Sequence, residues 1–280
     1  MIMSKSAKYL KINTILIAIG FVIIMCLLAN EGSDSGSSES SNSENSSIEK
    51  VEIPAKITGR QEQIITHIGY TVSYNSDWKI PNWVAYELTK TEVEGVVPRK
   101  DNFIPDPEVS YTETATTNDY RNSGWDRGHM APAGDMKWSE QAMKESFYFS
   151  NICPQNNNLN SGIWKDLEEQ VRGLAKQKGN IYVVCGPLVS KQPKTIGGNK
   201  VAIPDAFFKA LLQNDNGNWH AIAFMFANES GRKPLSTYAM SVEDLQMITD
   251  IDFFPALPDS IERKIESQVD FTKWNIKTNK

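Results

Sequence analysis

The sequence predicts an α+β fold, a mixed central β-sheet flanked by helices. Three observations lead there. Short alternating or wholly apolar runs recur at 63–74, 82–88, 181–185, 206–212 and 220–227. A long amphipathic stretch at 161–178 and a capped one at 241–250 supply helices. No internal repeat divides the chain, so the elements assemble around one core.

The N-terminal residues stand apart. Lys5, Lys8 and Lys11 precede an apolar run from Ile15 to Ala29, and the following stretch to Ser47 is almost wholly Ser, Glu, Asn, Gly and Asp. An apolar run of that length suits a signal segment and falls short of the about 20 residues a spanning helix needs. The Ser-rich stretch has too little apolar surface to fold. The expected organisation is an N-terminal hydrophobic segment at 1–30, a linker at 31–50 and one globular domain at 51–280. The segment implies a bacterial envelope protein acting outside the cytoplasm, with the membrane as a partner. Three endings stay open. It is retained as an anchor, lipidated at Cys26, or cleaved after Ala29 with full secretion. Against lipidation, Ile23-Ile24-Met25 lacks the expected small residue.

Along the domain, 63–74 reads as one strand whose Ile68, Tyr70, Val72 and Tyr74 alternate. Asn75-Ser76-Asp77 is turn chemistry, and 82–88 is the next strand. Residues 98–107 hold three prolines, which makes a surface arm. Ser139 can cap a helix over 139–148, and 147–152 is apolar until Pro154 breaks it. The Asn156-Asn157-Asn158 cluster favours a turn. In 161–178, Trp164, Leu167, Val171, Leu174 and Ala175 recur at helical steps before Gly179 ends the helix. The strand 181–185 stops at Gly186-Pro187. Strands 206–212 and 220–227 flank the polar turn 214–218. Ser241 and Asp244 then open a helix reaching Asp250.

The 280 residues are 40% hydrophobic, enough for a real core, and carry a net charge of −5. Without the four lysines and five acidic residues of 1–50, 25 bases face 29 acids. A mildly acidic domain argues against a protein that merely coats nucleic acid. Cys153 and Cys185 are too few for a disulfide framework and are open to one bond or two free thiols. No zinc-binding pair, Gly-x-Ser-x-Gly or His-Glu-x-x-His occurs, which removes zinc peptidases and serine esterases.

Candidate chemistry centres on Asp126-Arg127-Gly128-His129 and on Asn160 further along. With only His67, His129 and His220 in the chain, few groups can act as a base at neutral pH. In an extended segment Arg127 and His129 project to one face, where base and cation meet a phosphate together. The neighbouring arginine disfavours protonated imidazole. His129 replacement should then remove a base without emptying a core. Asp126 reads as a hydrogen-bonding brace and Asp135 as part of a turn. In one straight helix Asn160 and Glu168 would stand about 12 Å apart, too far to share an ion directly. Asn160 is an inner ligand or a helix cap. Glu168 acts through water or pairs with Arg172 on the surface. Arg99 and Arg121 are phosphate contacts or surface charges, and Trp125, Trp138 and Trp164 stack on bases or fill the core.

These residues resemble the DNA/RNA non-specific endonucleases of the ββα-metal class. The likeness rests on Asp126 to His129, on Ser150-Asn151-Ile152-Cys153-Pro154-Gln155, and on Leu159-Asn160-Ser161-Gly162-Ile163-Trp164-Lys165-Asp166-Leu167-Glu168. Arg99 with Phe103 and Asp106, and Tyr182 to Pro187, extend it across roughly 60–270. Cys153 departs from a common threonine, and the paired cysteines of secreted members have no match. The resemblance implies His129 as general base, Asn160 as a Mg²⁺ ligand (Mn²⁺ as substitute) and Glu168 in the metal's water network. It implies Arg99 and Arg127 on the phosphate, DNA and RNA as substrates, and 5′-phosphate products. An inactive nucleic-acid uptake protein on the same scaffold is the alternative, and it would have no need of His129, Asn160 and Glu168.

Overall fold

Gly69 sits inside the run expected to be one strand, and the chain reverses there. In a computed structural model, which describes residues 50–274 and 276, residues 63–74 form a hairpin of two strands. Around Gly69 an added Cβ would meet the Met136 sulfur at 2.5 Å, so only glycine allows this close approach. The apolar N-terminal segment and the linker, apart from Lys50, lie outside the described residues.

The strands are β1 (Gln63–Thr66), β2 (Thr71–Asn75), β3 (Ile80–Thr89), β4 (Asp126–His129), β5 (Ile152–Gln155) and β6 (Asn180–Leu188), followed by β7 (Thr195–Ile196), β8 (Val201–Ala202), β9 (Ala206–Asp215), β10 (Asn218–Ala227) and β11 (Ala239–Met240). The helices that matter below are α1 (Glu140–Glu145), α2 (Asn157–Leu159), α3 (Lys165–Lys178), α4 (Val242–Thr249) and α5 (Asp259–Glu266). The central sheet has the order β1-β2-β3-β6-β9-β10-β11, and β4 with β5 makes a separate ribbon. The expected α+β class is present. The sheet's pairings are antiparallel throughout, where a mixed sheet was expected.

Both faces of the sheet are covered. On one, Val183, Phe207, Leu211, Phe224 and Phe226 pack with Ile163, Trp164, Leu167 and Val171 of the α3 segment and with the ribbon. On the other, Trp83, Phe208, Ala210 and Leu212 pack beneath Val242 and Leu245 of α4 and Ile265 of α5. Ile152, the β5 partner of His129, belongs to the core on the first face.

Local chemistry sets most boundaries. Ser139 caps α1 by accepting from Gln141 N at 3.2 Å. Ser241 caps α4 by accepting from Asp244 N at 3.0 Å, and Asp250 ends that helix in the left-handed region at φ 57°. The turn between β9 and β10 narrows to Asn216 (φ 53°) and Gly217 (φ 88°), the pair a twisted hairpin favours. Two prolines differ from expectation. Pro154 lies within β5, where a two-stranded ribbon has an open edge for a residue without N–H. β6 runs through Gly186-Pro187 to Leu188, because β3 has stopped pairing beyond Cys185 and only β9 continues alongside.

At the junction of α4 and α5, Glu266 is 4% exposed and its Oε1 has no partner among the described residues, while Gln246 Nε2 donates to Oε2 at 3.0 Å. Burial, then Glu262, raises its pKa to about 8. Between the unfolded value near 4.5 and about 8 the folded state holds the extra proton, so stability falls as pH rises through that window. Glu266→Gln should therefore leave stability little changed at pH 4 and raise it at pH 9 by on the order of 3 kcal/mol. Urea denaturation at the two pH values checks this.

Candidate active site

Four backbone pairings hold β4 against β5: Asp126 with Gln155, Arg127 with Pro154, Gly128 with Cys153 and His129 with Ile152. The extended backbone sends Arg127 and His129 to one side, as expected. There Phe103 receives both, the Arg127 guanidinium 4.1 Å above its ring and the His129 ring 5.4 Å away. Phe147 closes the other flank, edge-on to His129 at 4.9 Å with Arg99 at 5.1 Å over its face. Two guanidiniums and one imidazole thus share an aromatic frame. Asn151 fixes the chain beyond it, donating through Nδ2 to Ala131 O and accepting from Ala131 N, each at 2.8 Å.

His129 is 8% exposed, and its Nε2 has no partner among the described residues. Burial, then Arg99, pulls its pKa down to about 3, with Arg127 adding to the effect and Asp101 opposing it. The imidazole is neutral at physiological pH. Its packing against two phenylalanines corrects one expectation, since removing the ring does empty part of a core.

Arg99 reaches the frame from the proline-rich arm, its Nε donating to Asp101 Oδ1 at 2.7 Å. The arm is pinned by Asp106, whose Oδ2 lies 2.9 Å from His67 Nε2 and accepts from Ser150 Oγ. Sequence reasoning missed this use of His67. It also missed Phe147, whose only signal was its place in the apolar run 147–152.

The carboxylate of Asp126 is the brace expected of it, accepting from Asn157 Nδ2 at 3.0 Å and Asn160 Nδ2 at 2.9 Å. Asn160 does not cap the start of a helix; it is the C-terminal cap residue of α2. Asn156 caps α2, accepting from Asn158 N at 3.0 Å, so the asparagine cluster starts a helix instead of forming a turn. Asn160 opens a wide π-type turn, Asn160–Trp164, in which Gly162 leaves helical geometry. That break also removes the straight-helix spacing assumed for Asn160 and Glu168.

Glu168 follows the π-type turn by four residues. It is half-buried on α3, and its expected partner Arg172 instead donates to the buried Asp135 at 2.7 Å, which also accepts from Tyr86 OH at 2.9 Å. Burial raises Glu168 to about 7, with Lys209 opposing and Asp135 adding. Arg121 is exposed, and Trp164 is core at 1% exposure, while Trp125 and Trp138 are partly buried. Cys153 and Cys185 are free, buried thiols.

Gly128 is the one motif position that contributes no side chain, and Gln155 explains why. A Cβ there would lie 2.2 Å from Gln155 Oε1 and 2.6 Å from its Cβ. Gly128→Ala should force the ribbon apart at a cost of about 1–3 kcal/mol and lower any activity at least tenfold. Thermal unfolding and rate assays on the variant check both.

The profile of the DNA/RNA non-specific endonuclease family matches residues 48–260. Mitochondrial nuclease EXOG of Danio rerio is 39% identical over 216 residues, 71% of this chain and 62% of its own length. The Homo sapiens EXOG is 34% identical over 81% of this chain and 65% of its own length. The chain therefore spans less than two thirds of these EXOG relatives. Mitochondrial endonuclease G of Homo sapiens is 31% identical over 69% of this chain and 70% of its own. The crystal structure of EndoG in its complex with EndoGI superposes with a TM-score of 0.69 at 28% identity, covering 80% of this chain and 96% of that one. With the matched span taking in the arm, the ribbon and the α2–α3 segment alike, this chain belongs to the DNA/RNA non-specific endonuclease family.

Proposed function

We infer that the protein is a Mg²⁺-dependent nuclease that hydrolyses DNA and RNA with little sequence preference and leaves 5′-phosphate ends. The observation that carries this reading is the buried, neutral His129 framed by Arg99 and Arg127. A phosphodiester set against the two guanidiniums gains charge-assisted hydrogen bonds that strengthen as its oxygens gain charge in the transition state. The phosphate's negative charge also offsets the field that depresses His129, making the imidazole a stronger base once substrate is in place. Nε2, without a protein partner, takes the proton from the attacking water. Contacts of this kind touch only phosphate, so they carry no sequence information.

The residues fit a hard cation. With Asn160 Nδ2 held by Asp126, no described residue donates to Asn160 Oδ1, which leaves an oriented oxygen ligand. Glu168, raised by burial and in no ion pair among the described residues, would receive the cation's waters. One oxygen ligand with retained waters suits Mg²⁺. When bound, the ion supplies Lewis acidity for the departing 3′ oxygen. Labelling product ends before and after phosphatase tests the chemistry. Ends that accept kinase label only after phosphatase treatment support this reading, and 3′-phosphate ends contradict it.

The nuclease domain is assigned to 51–280, with export directed by the N-terminal segment. The Lys-flanked apolar run and the Ser-rich stretch behind it support action outside the cytoplasm. The names of the EXOG and endonuclease G relatives place those proteins in mitochondria. Fractionation of expressing bacteria tests export, with activity confined to the cytosol as the contrary result.

A further inference from the structure

Lys209 stands in the middle of β9 between Phe207 and Leu211, on the core face of the central sheet. It is 1% exposed, and its Nζ has no hydrogen-bond partner among the described residues. A buried ammonium without a partner costs several kcal/mol, and an unbranched apolar side chain would fit the same row without that cost. Its Nζ lies over the face of Trp164, 4.6 Å from the ring centroid. Trp164 also packs on Phe207 at 5.7 Å and Phe226 at 5.9 Å, so the indole is fixed to the sheet from which Lys209 projects.

Trp164 is the last residue of the wide turn that begins with Asn160. The turn has Gly162 in non-helical geometry, so it lacks the continuous hydrogen-bond ladder that would hold its shape unaided. At one end Asp126 grips the Asn160 amide, and at the other Lys209 seats the indole. Glu168 follows Trp164 by four residues, one helical turn along the same side. Among the charges acting on Glu168, Lys209 is the largest that favours the carboxylate. Arg172 is committed to Asp135.

We propose that Lys209 is a positioning residue of the nuclease reaction: seated under Trp164, its ammonium holds the turn that presents Asn160 and starts the helix carrying Glu168. The cation–π contact is strong here because water is excluded from both partners. Lys209 touches neither substrate nor the reacting atoms. The inference rests on the nuclease reading, and its test separates the two.

Lys209→Met keeps the unbranched stem and removes the charge. The whole chain, wild type and variant, is compared in three ways: thermal unfolding, steady-state cleavage of plasmid in Mg²⁺, and hydrogen exchange of residues 157–168 in the free protein. The expected result is a melting temperature at or above that of wild type, an unchanged KM, kcat lower by at least tenfold, and faster exchange confined to 157–168. A packing role alone would move the melting temperature and the exchange of β9 and β10 instead. Lys209→Leu, also apolar and of similar size, repeats the comparison should Lys209→Met fail to fold. Wild-type kcat, or wild-type exchange of residues 157–168, in Lys209→Met would overturn the proposal. If wild type itself leaves plasmid intact, the nuclease reading fails, and the exchange comparison still decides whether Lys209 holds the turn.

Discussion

Replacing His129 by glutamine should abolish cleavage while the protein still folds and binds nucleic acid. General-base catalysis contributes about 10²–10⁴ in rate, and His129 is the only histidine in the frame of Arg99 and Arg127, so no neighbouring base can substitute. His67 is held by Asp106. His220 lies at the start of β10, outside the frame. Glutamine is the better variant because the imidazole packs on Phe103 and Phe147. His129→Ala would open a cavity and lower stability by about 1–3 kcal/mol, mixing a folding defect with a chemical one. Circular dichroism and nucleic-acid binding in EDTA separate the effects. A His129→Gln protein that cleaves at a tenth of the wild-type rate or better would show that another group takes the proton.

Asn160→Ala should have the next largest effect, and its signature is metal dependence. Loss of the amide removes the oxygen that Asp126 orients, and apparent Mg²⁺ affinity should fall about 10–100-fold, the range seen when groups supporting a metal site are removed. Raising Mg²⁺ should then restore part of the rate. Asp126→Ala should show a milder form of the same defect, because it frees the amide to rotate. Titration of rate against Mg²⁺ for the three proteins checks this. A rate loss in Asn160→Ala that no Mg²⁺ concentration relieves would place Asn160 outside the metal site.

Much of this arrangement is legible before any coordinates, for reasons that differ by residue. Ser139 and Ser241 cap their helices as the sequence suggests, because a cap is satisfied within three residues. Arg127 and His129 share a face because strand alternation is a local property. The tertiary partners are harder to see. Residues 63–74 look like one strand because the apolar pattern continues through the hairpin, and only the Met136 contact at Gly69 shows why the chain turns. Pro154 looks like a breaker because nothing local reveals that its strand has an open edge. Arg172 is four residues from Glu168, yet it pairs with Asp135 from a distant turn. Lys209 sits in an apolar run, where a single lysine was the one visible irregularity.

If the proposed function holds, cleavage of both DNA and RNA depends on a divalent ion. The most direct test is to incubate the whole protein with supercoiled plasmid and with a structured RNA, each in Mg²⁺ and in EDTA. The account predicts loss of both substrates in Mg²⁺ and of neither in EDTA. Cleavage that persists in EDTA, or tight binding of intact nucleic acid in Mg²⁺, would contradict it.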